Sequence, residues 1–363
     1  MAEAPPVASP PPSPSPADPG RGRVGVVVIG RNEGERLARA VAAALEQAET
    51  VVYVDSNSDD GSRERAAALG ASVVHLTAGP YTPSRGRQEG FEALRRLRPD
   101  LPYVQFIDGD CLLAPGWVAT ARAHLDAHPD VVAVFGRRRE ERVAESLYSR
   151  LMDVDWDHPP GEAPNFGGDA LVRCDAVEAA GGWSAATINA EDIDLSFRVR
   201  AATGGRVVRL ADEMTRHDVR MSRFAQYWRR AVRAGYGYAE VGWRYRHGPG
   251  RMLLKRMASS VLYAVVLPAL AVVGGLLWWP LAALVGLVYL RTLARLYARA
   301  RARGADAGTA AAYAGLNLVC KAASTWGALL YLRDRLSGGP TRDNLIVYRS
   351  RVARTAPAPG PEA

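Results

Sequence analysis

The chain has 363 residues, 48% of them hydrophobic, a formal net charge of +8 and a pI near 9.6. That length builds one sizeable core with residues to spare, and the basic balance calls for an anionic partner: nucleic acid, an acidic membrane surface or a phosphate-rich substrate. Three cysteines, Cys111, Cys174 and Cys320, lack the spacing of a metal knuckle and the density of a disulfide scaffold, and so fit a reducing compartment.

Residues 1–22 open with eight prolines in the first twenty positions and no apolar run, which reads as a disordered tail rather than a signal peptide. VGVVVI, residues 24–29, is a continuous apolar run of the kind a strand shows when both its faces are covered. Arg31-Asn32-Glu33-Gly34 follows, then an amphipathic helix over 35–48 with Leu37, Val41, Ala44 and Leu45 on its apolar side. A second strand, 50–54, delivers Asp55 into the polar turn SNSDDGS, which contains Asp60. A helix over 62–69, a stop at Gly70 and a third strand at 72–76 complete a βαβαβ rhythm, the pattern of a parallel sheet. Ligands of such sheets bind beyond the carboxyl ends of the strands, where Arg31, Asn32, Asp55 and Asp110 all fall. Neither GxGxxG nor a Walker sequence follows the first strand, so a glycine cradle for phosphates is not expected.

A helix over about 86–97 carries Arg85 and Arg87 at its start, the wrong end for the helix dipole, which suggests an anion held there; plain solvation is the alternative. The fourth strand, Tyr103–Ile107, then runs into Asp108-Gly109-Asp110. Two carboxylates leaving a buried strand repel each other and need donors or a cation. A hard divalent cation carrying nucleotide phosphates meets that need, and a turn that merely faces water is the competing reading. A helix at 117–127 and a strand at 130–138 follow. Residues 140–166 change to a mixed, acidic character, and a strand-like piece, a short helix and the turn Gly181-Gly182-Trp183 come next. The segment Glu191-Asp192-Ile193-Asp194 opens another helix; its acids are either dipole partners or hold a general base at a rigid edge.

Taken together these stretches resemble the family 2 glycosyltransferases over roughly residues 24–240. The resemblance rests on VVVIGRNE at 26–33, YVDSNSDDGS at 53–62, FIDGD at 106–110, GGW at 181–183 and EDIDLSFR at 191–198. It implies an α/β fold of the GT-A type, a nucleotide-sugar-binding domain at 23–245 with a mostly parallel central sheet. It also implies metal-dependent inverting transfer from a nucleotide-diphosphate sugar. Asp55 would contact the donor base, with Arg31, Asn32, Glu33, Asp60 and Arg85 around the donor. Asp110 and Asp108 would bind Mg²⁺ or Mn²⁺ and the donor pyrophosphate, with His217 as a further ligand. Asp192 would be the catalytic base and Glu191 the runner-up. Processive members resemble QxxRW; here Gln226 and Arg229 match but Arg230 replaces the tryptophan, which favours transfer of a single sugar. Gln226, Arg229 and Arg230 would face the departing diphosphate, on a basic, aromatic helix at 223–243 suited to a lipid interface.

Beyond residue 250 the composition turns to that of a membrane region, 255–335. Residues 258–290 carry no charge, and Gly274-Gly275 with Trp278, Trp279 and Pro280 mark a turnaround between passes at about 259–277 and 279–297. One long tilted span is the alternative. Lys255, Arg256, Arg291, Arg295, Arg299, Arg301 and Arg303 flank the hairpin and place both ends in the cytoplasm by the positive-inside rule. A third apolar segment, 309–332, is interrupted by Asn317 and Lys321, and residues 350–363 read as a flexible tail. The expectation is a multi-pass inner- or plasma-membrane protein with a cytoplasmic catalytic domain and a lipid, glycolipid or saccharide acceptor, without nucleic-acid binding. A polysaccharide synthase, a nucleotide-sugar sensor or scaffold, and a transporter with a regulatory domain are the rival classes.

Overall fold

The computed structural model describes residues 20–337 except 185, 186 and 188; the two terminal tails expected from composition lie almost wholly outside the described residues. Arg21–Arg23 already form a 3₁₀ turn, and Arg98 donates to the Gly22 carbonyl at 3.1 Å, so the folded part starts slightly before Val24.

Its elements are β1 (Val24–Gly30), α1 (Glu35–Gln47), β2 (Thr50–Asp55), α2 (Ser62–Ala68), β3 (Ser72–His75), α3 (Pro83–Leu97), β4 (Tyr103–Asp108), β5 (Cys111–Leu113), α4 (Trp117–Ala127), β6 (Val131–Glu140), α5 (Leu147–Trp156), β7 (Gly161–Ala163), β8 (Ala170–Arg173), α6 (Cys174–Ala179), α7 (Glu191–Thr203) and β9 (Arg206–His217). They are followed by α8 (Phe224–Arg244), α9 (Arg251–Val261), α10 (Leu267–Leu277), α11 (Trp279–Ala302) and α12 (Ala307–Leu336). α3 begins three residues before the expected start because Thr82 caps it, accepting from the Arg85 amide at 3.2 Å, with Pro83 in the first turn.

The strands form one sheet in the order β3-β2-β1-β4-β8-β6-β9-β5, with β7 on the same edge of β9 as β5. β3, β2, β1 and β4 are parallel, β8 runs against β4 and β6, and β6 pairs with β9 in parallel. The sheet is therefore mixed: parallel through its first half, and antiparallel in its second except between β6 and β9. Both faces are covered. Val26 and Val28 pack with Leu37, Val41 and Trp117, whereas Val27 and Ile29 pack with Phe91, Leu94 and Phe106. Alternating burial on two sides is why β1 reads as an unbroken apolar run.

Register decides where polar groups gather. Gly30 pairs with Asp55, Ile29 with Asp108, and His217 with both Glu140 and Cys111. The carboxyl ends of β1, β2, β4, β6 and β9 thus meet at one rim.

The C-terminal half is helical. α9 and α10 are continuous through a π-helical turn at Leu262–Val266, and the chain reverses at Trp278 into α11. Segments Arg251–Leu277 and Trp279–Ala302 are long and apolar enough to cross a membrane. Their apolar side chains are open: Leu276, Leu277, Trp278 and Trp279 are 65–81% exposed. The apolar stretch 258–290 therefore folds as two helices, not as one continuous helix. α12 packs along α8 at glycine contacts: a Cβ on Gly327 would sit 2.0 Å from the Val232 carbonyl, and one on Gly235 2.1 Å from that of Ser324. The expected interfacial helix, α8, is thus clasped on one side by α12 and on another by Leu253 of α9, with Phe224 and Trp243 left exposed.

Candidate active site

The rim is built on the acidic turn after β4. The Gly109 amide donates to the Ile29 carbonyl at 2.7 Å, and a Cβ there would lie 3.1 Å from that oxygen. Glycine is needed for this close approach to β1, not for a positive φ. The turn sends Asp110 toward β9. Its carbonyl accepts from the Asp218 amide at 3.0 Å, and its carboxylate lies 3.5 Å from His217 Nε2. On its other side His217 Nδ1, buried without a hydrogen bond, lies 3.6 Å from the buried Glu140 carboxylate. The Trp156 ring meets the imidazole in a T-shaped contact, with ring centroids 4.9 Å apart.

Arg87 joins this turn to α7. It is 2% exposed and donates to Asp108 at 2.6 Å and to Glu191 at 2.7 Å, with its guanidinium 5.0 Å over the Trp183 ring. The anion inferred at this helix start is the protein's own pair of carboxylates. Gly168 makes room for it, since a Cβ there would meet Arg87 Nη2 at 2.5 Å. Asp169 supports the turn from β8's side: it accepts from the Asp108 amide at 3.1 Å, from Arg138 at 2.6 Å and from Thr215 at 3.1 Å. Burial raises the Asp108 carboxyl above its ordinary range while Arg87 pulls it back; Asp169, buried as well, is held below its range chiefly by Arg138.

Glu191 is therefore committed to Arg87, and Asp192 next to it is not. No carboxylate–cation pair within 4.0 Å involves Asp192 among the described residues; its Oδ1 accepts only from the Ile193 amide, at 2.8 Å. Burial first, and the Glu191 charge second, push its carboxyl up to about 7. That is the range in which a carboxylate both accepts a proton readily and is ionised at neutral pH. Asp194, the third acid of the segment, is spent on Arg198, Arg244 and Tyr245 and ties α7 to α8.

The remaining candidates separate. Glu33 lies on the rim in an ion pair with Arg36, and burial together with Asp110 pushes it up to about 7. Asp55 is fully buried, accepting from Tyr53 Oη and the Ser58 amide, each at 2.8 Å, so it shapes the loop after β2. Asn32, at φ 56°, clips that loop to β1 by accepting from Asp59 at 2.9 Å, and Arg31 sits 5.0 Å over Tyr81. Asp60 is a cap: it accepts from the Gly34 and Ser62 amides at 2.9 and 3.0 Å. Arg85 bonds the carbonyls of Ala78 and Pro80 and pairs with Glu89, away from the turn. Gln226 closes the first turn of α8, accepting from the Ser222 and Arg223 amides at 2.9 Å each. Its amide group, the end that could donate to a diphosphate, points to the Arg220 carbonyl at 3.4 Å. Arg229 is exposed and donates to Ala225, whereas Arg230 lies over Trp156 at 6.0 Å and so belongs to the rim.

The donor set fits a hard divalent cation. Asp110, His217 and Cys111 offer atoms within 4.8 Å of one another, as do Asp108, Cys111 and Asp169. Burial pushes the Cys111 thiol well up, so it stays protonated and leaves oxygen and imidazole as the ligands. Glu140 behind Nδ1 would orient the ring with Nε2 toward Asp110, the usual support of a metal-bound imidazole. Mutual repulsion among Asp110, Asp108 and Glu33 is what such a cation would relieve.

Sequence reasoning did not reach Arg87's two partners, nor Asp169, Arg138, Glu140 and Trp156. GGD at 167–169 resembles an ordinary loop, and nothing local links residues 87 and 191. The sole available signal was a basic pair at a helix start, which asked for an anion without saying which.

Residues 25–181, less than half of the chain, match the family profile described as glycosyl transferase family 2. No curated protein matches the chain. Among solved structures it is similar to S. aureus TarS, at 16% identity and TM-score 0.44, over 58% of this chain and 39% of that one. It is also similar to glucosyl-3-phosphoglycerate synthase from Mycobacterium tuberculosis, solved with Mg²⁺ and uridine diphosphate, at 19% identity and TM-score 0.43, over 59% and 78% of the two chains. Over residues 25–181 the chain carries a domain that matches the glycosyl transferase family 2 profile.

Proposed function

We propose that residues 23–245 transfer one sugar, with inversion, from a nucleotide-diphosphate sugar to an acceptor at a membrane surface, and that residues 255–335 anchor them there. Arg87 carries this reading: one buried guanidinium bonds Asp108 of the acidic turn and Glu191 beside Asp192, so the donor end and the base end belong to one pocket.

In this reading Asp192 accepts the proton of the acceptor hydroxyl as its oxygen attacks the anomeric carbon, and the nucleoside diphosphate leaves from the opposite side. Asp110 and His217, with Asp108 nearby, would hold Mg²⁺ or Mn²⁺, which when bound offsets charge on the leaving diphosphate. Arg230 adds a cation on the same rim. Glu191 acts through Arg87 and is a positioning residue. Transfer of one sugar at a time is favoured by Arg230 in place of tryptophan and by the capping role of Gln226. The exposed apolar hairpin and its basic flanks support a cytoplasmic catalytic domain on a multi-pass plasma-membrane anchor.

The test offers membranes containing the full chain a panel of radiolabelled nucleotide sugars with Mn²⁺, followed by lipid extraction. Asp110→Asn and Asp192→Asn should each lower transfer by about 10²-fold or more. Undiminished transfer in both variants would refute the site. Label confined to the aqueous phase would refute the membrane acceptor.

A further inference from the structure

Three arginines from three separate elements close on the last turn of α5. Arg209 of β9 donates to the Trp156 carbonyl at 3.2 Å, Arg303 beyond α11 donates to the Val154 carbonyl at 2.8 Å, and Arg137 of β6 pairs with Asp157 at 3.2 Å. Capping a helix C-terminus would explain one such cation, worth about half an elementary charge of complementarity. Arg137 has a carboxylate of its own in Asp157, so Arg209 and Arg303 are the pair to be explained. Arg209 is only 5% exposed, and no carboxylate of the described residues comes within 4.0 Å of it or of Arg303. A guanidinium has five N–H donors, and the bonds above engage one nitrogen on each of these two. The other charged groups facing the cluster are Asp155, His158 and Arg256, and His158 is held below its ordinary range by burial and then by Arg303. Burial likewise disfavours the charged form of Arg209, with Arg137 and Arg303 adding to the effect and Asp157 opposing it. A buried guanidinium beside a half-buried one, neither with a carboxylate within 4.0 Å among the described residues and with Asp157 already engaged by Arg137, favours an external anion.

We infer that the seam between the end of α5, β9 and the C-terminal end of α11 is a binding site for a phosphate monoester, with Arg209 and Arg303 as its cations and a membrane lipid headgroup as its source. The depth fits: Arg303 follows directly on a helix apolar enough to span a bilayer, where headgroups lie. The connection to the sugar site also fits. Trp156 gives its carbonyl to Arg209 and packs its ring against His217 in a T-shaped contact, so one residue separates the two sites. The inference deepens the proposed function, on which it rests only for the lipid's use as acceptor or as anchor beside it.

Binding is measured without donor sugar, so its outcome is independent of transfer. Full-length protein in dodecyl maltoside micelles is titrated with ³²P-labelled phosphatidic acid and, separately, with inorganic [³²P]phosphate. The wild type should retain phosphatidic acid, and Arg209→Gln should weaken it at least tenfold. Arg301→Gln, an exposed arginine of the same helix end, should stay within twofold. If Arg209→Gln loses its monodisperse elution profile, Arg303→Gln serves instead, with the same direction of change. Retention of inorganic phosphate but not of phosphatidic acid would overturn the lipid source and keep a soluble phosphate ester as ligand. Binding of neither probe, or wild-type binding by both variants, overturns the site.

Discussion

Removing the Arg87 charge tests the link on which the pocket depends. Arg87→Met keeps the apolar stem but leaves Asp108 and Glu191 without the cation that each now meets within 2.7 Å. Breaking a buried ion pair from one side costs about 3–5 kcal/mol, because the surviving charge stays desolvated. For a domain of this size that corresponds to a fall in Tm of roughly 6–20 °C. The loss should depend on pH, with a definite sign. Burial already raises Asp108, and without Arg87 its folded pKa rises further above the unfolded value. A carboxyl raised in this way destabilises the fold as pH climbs through its folded pKa, and the penalty vanishes below the unfolded value near 4. The difference between Arg87→Met and wild type should therefore be large at pH 8 and shrink by pH 5. Thermal unfolding of the detergent-solubilised chain, followed by tryptophan fluorescence across that range, reads this directly. A deficit that is the same at both pH values, or under about 1 kcal/mol, would show that the two carboxylates do not rely on Arg87.

Asp192, pushed up to about 7, must be deprotonated to act, so kcat/KM should rise about tenfold per pH unit below 7 and level off above it; a flat profile from pH 5.5 to 8.5 would remove it as the base. Gln226→Ala should cost roughly 1 kcal/mol of stability through the lost cap while leaving kcat within about twofold. A hundredfold fall in kcat without a Tm change would return Gln226 to the diphosphate.

Much of this chain is legible without coordinates where information is local. α4 matches its expected bounds at both ends, and β1, β2 and β4 end where apolar runs meet acidic turns. The hairpin between α10 and α11 follows from Gly, Trp and Pro inside an uncharged run. β9 was not legible: its pairing with β6 carries three register shifts, which scramble the alternation that marks a strand. α5 was hidden because its face packs on distant α12 residues such as Tyr313 and Ala310, not on a local apolar repeat.

The sequence by itself determined which chemical groups leave the strand ends, Asp55, Asp108 and Asp110, and which open a helix, the Glu191-Asp192 pair, with an apolar hairpin beyond them. That follows because strand length and turn chemistry are encoded within a few residues. Only the tertiary structure decided which of those groups stay available. Asp60 and Gln226 became caps, Asp55 was turned inward, Glu191 was taken by Arg87, and Asp192 was left without a cation partner among the described residues. Such choices depend on partners up to 104 positions apart along the chain, brought together by the sheet register.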